Sequence, residues 1–339
     1  MIQVSGIFTG GGASIDIILA ETLPETVTNG RIIVLTTVAA SKVTLGYTTP
    51  ASSAAGDIWI YTVDNGMPSL EIVDGDNTAI IRPAIARQYV DGAWVGRDAY
   101  LGVSGVWNSL LPRPDTLENM SWADINTVAA AGYAATYWSI GDTKTITFPS
   151  AVLGSTTIVV KIMGFEYDDL ADGSGKAPIT FGMANSFATT QSMNGSNTNA
   201  GGWGSCVLRD TLITTVLPAL QTVIGSSVIK PVSKRTSAGN ESPTINTTTD
   251  SVWLFSECEV FGTVTYSAAG EKPTDKSICY PIFTSRESRI KKVGNSAADW
   301  WERSPHASNN IDFCYVHSTG NAGSTGASTL RGVALGFCV

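Results

Sequence analysis

Short apolar runs with a two-residue period dominate the chain up to about residue 110. Segments 15–19, 31–37, 43–47, 57–63 and 79–85 are rich in β-branched residues and are bounded by Gly, Pro, Asn or Ser, which predicts strands. No 3.6-residue stripe competes with them. Segments 91–94 and 104–107 end in Trp94 and Trp107 and predict two turns, each leading a Trp into a following strand. Residues 1–110 are therefore expected to form an all-β module, a small sandwich or barrel.

Pro112 and Pro114 interrupt the pattern, because each removes a backbone donor and biases its predecessor to extended structure. A linker is placed at 111–120 and a second domain at 121–339. Ser121 is the expected N-cap of a helix, with Asp124 as partner of a capping box and Gly132 as its end. Strands are expected at 143–148 and 156–165. Val207, Leu208, Leu212, Val216 and Leu217 then recur on one helical face, with Ser205 as the expected N-cap. Further strands are expected at 228–235, 252–255, 299–304, 312–317 and 333–339, and a second capping box at Ser256 and Glu259. The fold class is a β-rich α+β chain.

Composition sharpens this picture. Of 339 residues, 43 % are hydrophobic and 15 % charged, so burial is extensive and little charge remains to coat a surface, which points to a homo-oligomer. The net charge of −8, with no basic run longer than a pair, argues against nucleic acid. The first residues lack a signal-peptide pattern, and no uninterrupted apolar stretch reaches membrane-spanning length, so a soluble product of cytoplasmic synthesis without membrane insertion is expected. The five cysteines show no CxxC spacing and are expected to be buried thiols.

Candidate chemistry is sparse. Only His306 and His317 could serve a Ser-His-Asp site, and there is no GxSxG elbow, so no catalytic residue is assigned. Asp168, Asp169 and Asp172 precede a Gly-containing turn and are candidate Ca²⁺ ligands, although Leu170 stands where an EF-hand needs an oxygen. Otherwise no cofactor is expected. Residues 172–176 lack Walker spacing and are expected to be a turn. Trp300 and Trp301 alternate on one strand, one in the core and one under a loop or neighbour.

Several pieces in order resemble a domain of unknown function found in tail proteins of phages of Gram-positive bacteria. They are Trp122–Ile125 (WADI), the run AGYAATYWSIGD at 131–142, IMGFEYDD at 162–169, GWGSCVLRD at 202–210, VWLFSECEVFG at 252–262, WWERSP at 300–305 and the closing GVALGFCV at 332–339. The resemblance implies a C-type-lectin-like α+β domain after the all-β module, although the EPN and WND pairs of calcium-dependent sugar binding are missing. It also implies a structural or adhesive protein of a phage tail tip, baseplate or fibre, located in the virion and assembled in the host cytoplasm. Its partners would be other tail or baseplate proteins and a host surface glycan or protein, and its assembly a homotrimer. The alternative is a particle-attached cell-wall or polysaccharide hydrolase. The receptor surface is assigned to loops 305–311 and 318–331, brought to one region, with His306, Asn309, Asn310, His317, Asn321 and Thr325 as its residues.

Overall fold

The computed structural model describes nine strands and residues 25–26, 54 and 57 within the first 114 residues, then residues 116–339 except 131 and 274–277. The chain divides into two compact units, Met1–Pro114 and Asp115–Val339. It is 20 % helical and 34 % strand, as the runs of Thr, Val and Ile predict.

Every described element of the first unit is a strand. One sheet has the order β1 (Gln3–Ile7), β2 (Ser14–Ala20), β3 (Arg31–Leu35), β8 (Ala99–Val103) and β9 (Val106–Ser109). The other has β4 (Val43–Gly46), β5 (Ile58–Thr62), β6 (Ala84–Val90) and β7 (Ala93–Arg97). Val90 pairs with Ala93 and Val103 with Val106, so Trp94 and Trp107 each sit one residue into the return strand of a hairpin, as expected. The strand expected at 79–85 starts instead at Ala84, and residues 79–83 lie outside the described residues.

The second unit is built on an antiparallel sheet. Its order is β10 (Thr143–Val152), β11 (Ser155–Phe165), β12 (Ile179–Met183), β21 (Leu335–Cys338) and β15 (Trp253–Leu254). β12 and β21 are buried along their whole length, as central strands covered on both faces must be. On one face Phe181 stacks on Phe337 with centroids 5.4 Å apart, and Trp122 of α1 (Trp122–Ala130) meets Phe181 edge-on at 5.3 Å. On the other face Gly182 and Gly336 let the Phe255 ring approach, where a Cβ would come within 2.7 Å and 3.0 Å of its Cζ. Phe255 in turn meets Tyr280 and Trp300 edge-on.

The expected caps are largely present. Ser121 Oγ accepts from Asp124 N, Gly132 follows α1 with φ +80°, and the full Ser256–Glu259 capping box opens α5 (Glu257–Phe261). A one-turn helix, α2 (Ala134–Tyr137), follows α1. The next helix runs from α3 (Val207–Thr211) through a π turn (Leu212–Val216) into α4 (Leu217–Ile224). Pro218 has no N–H to donate back along this helix, and the π turn falls immediately before it. Its cap is Cys206, whose Sγ accepts from Arg209 N, rather than Ser205, and Val207 at the first turn is 55 % exposed rather than buried. The length and composition of Val207–Ile224 would also suit a membrane span, but Leu208, Leu212, Val216, Leu220 and Ile224 form a buried stripe and α4 packs on β10.

The second unit begins ahead of residue 121. Leu117 and Met120 are buried, and the buried Lys144 of β10 donates to the carbonyls of Leu117, Glu118 and Met120, at 2.5 Å to the last. These residues are a pinned turn and not a linker, while 111–115 lie outside the described residues.

Two hairpins pair β13 (Val232–Ser237) with β14 (Ile245–Asp250) and β16 (Lys291–Val293) with β17 (Ser296–Ala298). A meander joins β18 (Trp300–Pro305), β19 (Asp312–Val316) and β20 (Ala322–Gly326). Trp300 and Trp301 are both fully buried, their indoles donating to Arg289 O and Gln191 O. The cysteines are free thiols, four of them buried and Cys279 half-buried. Burial pushes the thiols of Cys206 and Cys258 up to about 12.

Candidate functional site: a polar edge and a buried ion network

The meander decides where the expected receptor residues lie. In an antiparallel ribbon the β18–β19 and β19–β20 connections leave from opposite ends of β19, so the turn at 318–321 does not reach the 305–311 loop, whereas the chain after β20 returns to it, Ala327 N donating to Ile311 O. The segment expected as one loop at 318–331 is divided by strand β20, and Thr325 sits on it opposite Phe313.

His306, Asn309, Asn310 and Thr325 gather at the Asp312 end. Asn309 Oδ1 accepts from Ile311 N and Asp312 N, and its Nδ2 donates to Asp312 Oδ2 at 3.0 Å, which closes the loop on itself. His306 Nδ1 accepts from Ser308 N. A segment the sequence reading passed over holds this loop from outside. Asn199, fully buried, donates from Nδ2 to the carbonyls of Asn309 and Asp312, both at 2.9 Å, and its N donates to Asn310 O. Its Oδ1 accepts from Asn240 N at 2.7 Å. Asn197 Oδ1 accepts from Ser328 N and Oγ, tying in the chain after β20. The result is an amide-rich edge in which Asn310 and Ser328 are exposed beside Ile311, itself 42 % exposed. The signal for Asn199 was present in the Asn-rich run at 194–199, since short amides in loops bond neighbouring backbone.

His317 and Asn321 lie at the other end. His317 Nδ1 accepts from Thr319 N, and Asn321 Nδ2 donates to Thr319 Oγ1. Asp299 braces this turn by accepting from Ser318 N at 2.7 Å and pairing with Arg331 at 2.6 Å.

The three aspartates proposed for calcium are engaged separately. Asp168 is buried against Lys234, Asp169 pairs with Lys176 at 2.5 Å, and Asp172 accepts from Ser174 N and Oγ in an exposed turn. Their carboxylates do not converge on one point, so they do not form the expected Ca²⁺ loop. Among the described residues no group of three or more His, Cys, Asp or Glu side chains is placed to hold a metal.

Asp168 belongs instead to a buried ion network beneath a cleft of about 220 Å³ lined by Tyr167, Lys176, Arg235 and the network itself. Lys234 Nζ donates to Asp168 Oδ1 at 2.5 Å, Glu259 Oε1 at 3.1 Å and Tyr280 OH at 3.0 Å, and lies 4.0 Å from the centre of the Trp253 ring. Arg303 grips Glu259 with two bonds of 2.5 Å and 2.9 Å and donates to Leu254 O. Burial opposes ionisation of Glu259, but Arg303 and Lys234 outweigh it and hold its carboxyl down. Tyr280 donates to Asp168 and its phenol is pushed well up by burial and by that carboxylate. Every charge on the cleft floor is thus spent on another, leaving no member of the network as a free acid, base or nucleophile.

Next to this network stands its opposite. Glu302 is fully buried with neither carboxyl oxygen hydrogen-bonded, and burial, with Glu257 and Glu271 adding, pushes its pKa well above the ordinary value. Glu257 is saturated by Thr265 N, Tyr266 N, Ser267 N and Ser267 Oγ, and Glu271 by Thr236, Ser237 and Ser304. Of these three carboxyls Glu302 alone has no hydrogen-bond partner, and burial favours its neutral form.

Residues 180–339 match a family described only as a domain of unknown function (DUF6273). No curated protein and no solved structure matches the chain.

Proposed function

We propose that the chain is a recognition protein of a phage tail tip, baseplate or fibre. Its second unit acts as a C-type-lectin-like binding domain, and its first unit docks on the particle as part of a homotrimer. The receptor is a glycan or protein of the host surface, met by the amide-rich edge at the Asp312 end of β19. The observation that carries this reading is the way Asn199 clamps the 306–311 loop. A recognition surface gains affinity when its polar groups are ordered before the partner arrives. Here Asn199, Asn309 and Asn197 use their amides to fix backbone, which leaves Asn310, Ser328 and Ile311 displayed on a rigid support.

The first test is mass spectrometry of purified particles, in which the chain should be found as a stoichiometric component; its absence from every particle would remove the proposal. The second is binding of the purified chain to host cells. N310A should weaken binding at least tenfold without changing the melting temperature, since the Asn310 side chain does not close the loop, whereas S328A would also remove the bond from Ser328 Oγ to Asn197. Light scattering at micromolar concentration should return three times the monomer mass.

A further inference from the structure

Lys291 opens β16 and is 4 % exposed, yet it lines the floor of a cleft of about 150 Å³. Around it stand Met163, Met183, Ile282 and Phe283, with Lys161 and Glu287 at the walls. Its Nζ donates to the carbonyl of Met183 and lies 5.1 Å from the centre of the Trp300 ring. None of the ion pairs among the described residues includes it. This contrasts with the buried Lys234, which two carboxylates hold as a cation, and with Lys144, which three carbonyls surround.

An ammonium in such a place has one acceptor, a ring face and apolar walls, which is far less than water gives it. We propose that Lys291 is a nucleophilic amine, and that the cleft above it admits a small aldehyde or ketone with an apolar body, which condenses on Nζ. The Nζ lone pair attacks the carbonyl carbon, and a proton passes from nitrogen to the new alkoxide to give a carbinolamine. Loss of its hydroxyl together with the remaining N–H proton, as water, leaves a C=N bond in place of the C=O bond, with no oxidant or reductant required. Met183 O orients the nitrogen through the proton it accepts, and the thioethers and rings of the walls take the apolar body.

Of the groups around the cleft, the Lys161 cation of β11 opposes an ammonium at Nζ, while the Met183 carbonyl of β12, the Trp300 indole of β18 and the Glu287 carboxylate of the 287–289 turn favour one. Burial, with Lys161 adding, lowers the Lys291 ammonium to about 7. An ordinary lysine is neutral in only about one part in a few thousand at pH 7. Lys291 should therefore react first.

The test is reductive alkylation of the full chain at pH 7 with butanal and cyanoborohydride, followed by peptide mapping. Lys291 should be alkylated at least ~10-fold faster than its neighbour Lys292, with a rate that rises through a midpoint near 7. K291M fills the same space without an amine and should fold with butanal label confined to the slow sites. Equal labelling of Lys291 and Lys292, or labelling of Lys291 only after unfolding, would overturn the proposal. Labelling by formaldehyde but not by butanal would overturn the part that assigns an apolar ligand to the cleft.

Discussion

Glu302 and Arg303 are neighbours on β18 and both buried, but one is an uncompensated acid and the other a cation doubly bonded to Glu259. Their consequences for stability differ in kind. The folded state raises the Glu302 pKa above the 4.5 of an ordinary glutamate, so its contribution is fully present below that value and is lost as pH rises. Each pH unit above it costs about 1.4 kcal/mol until the folded-state pKa is passed. E302Q keeps the shape and removes the proton, so its melting temperature should exceed that of the parent at pH 8 and converge with it near pH 4. A parallel pair of melting curves across that range would refute a protonated Glu302. R303M does the reverse by leaving Glu259 buried against Lys234 alone, and should cost about 3 kcal/mol in urea denaturation. The double variant R303M/E259M should recover part of that loss, because it no longer strands a charge. None of this was legible in the sequence. Asp168, Lys234, Glu259 and Arg303 are scattered over 136 positions, and only the local role of Glu259, three residues after Ser256, could be seen.

Elements were legible to the degree that they announce themselves locally. Alternation marked β10, whose Lys144, Ile146 and Phe148 are buried at every second place, and caps marked α1 and α5. Of the strands that escaped, two did so for opposite reasons. β12 is buried throughout and shows no alternation, while β14 is Ile-Asn-Thr-Thr-Thr-Asp and looks like a loop until it is paired with β13. Loops 305–311 and 318–331 stood out by their composition, but the split of the second between the two ends of β19 depended on strand β20, whose small polar residues resemble a turn. The clamp by Asn199 gives a prediction at this scale. N199A removes three side-chain bonds, to Asn309, Asp312 and Asn240, and takes from the Asn309 carbonyl its Asn199 donor while Asp312 O keeps His306 N, so it should cost about 1–3 kcal/mol. Hydrogen exchange should quicken at 306–312 and 239–241 while the amides of β12 stay protected. Uniform quickening would mean that the segment is no separate clamp. G239A should do similar damage by another route, since Gly239 has φ +68° and a Cβ there would sit 1.8 Å from Asn199 O.

At the scale of the whole chain, the proline pair at 112 and 114 pointed to a division, and the compact units part between Pro114 and Asp115. The content of the second unit explains where its structure begins. Its hydrophobic core runs without interruption from Leu117 to Val339, so the first and last turns are both part of one buried cluster. At one end Lys144 gathers three carbonyls of residues 117–120. At the other, β21 lies in the middle of the sheet, and Val339 exchanges hydrogen bonds with Ile179. A fragment of residues 115–339 retains all of these contacts and should unfold in one cooperative transition. A fragment starting at 121 loses the buried Leu117 and Met120 and leaves the Lys144 ammonium without its acceptors. Burial already lowers the pKa of that ammonium, so stranding it should cost about 3–5 kcal/mol together with the lost side chains. Calorimetry of the two fragments decides the matter. If 121–339 melts with 115–339, the pinned turn contributes nothing. If K144M within 115–339 reproduces most of the loss, the lysine is what joins the start of the unit to its sheet.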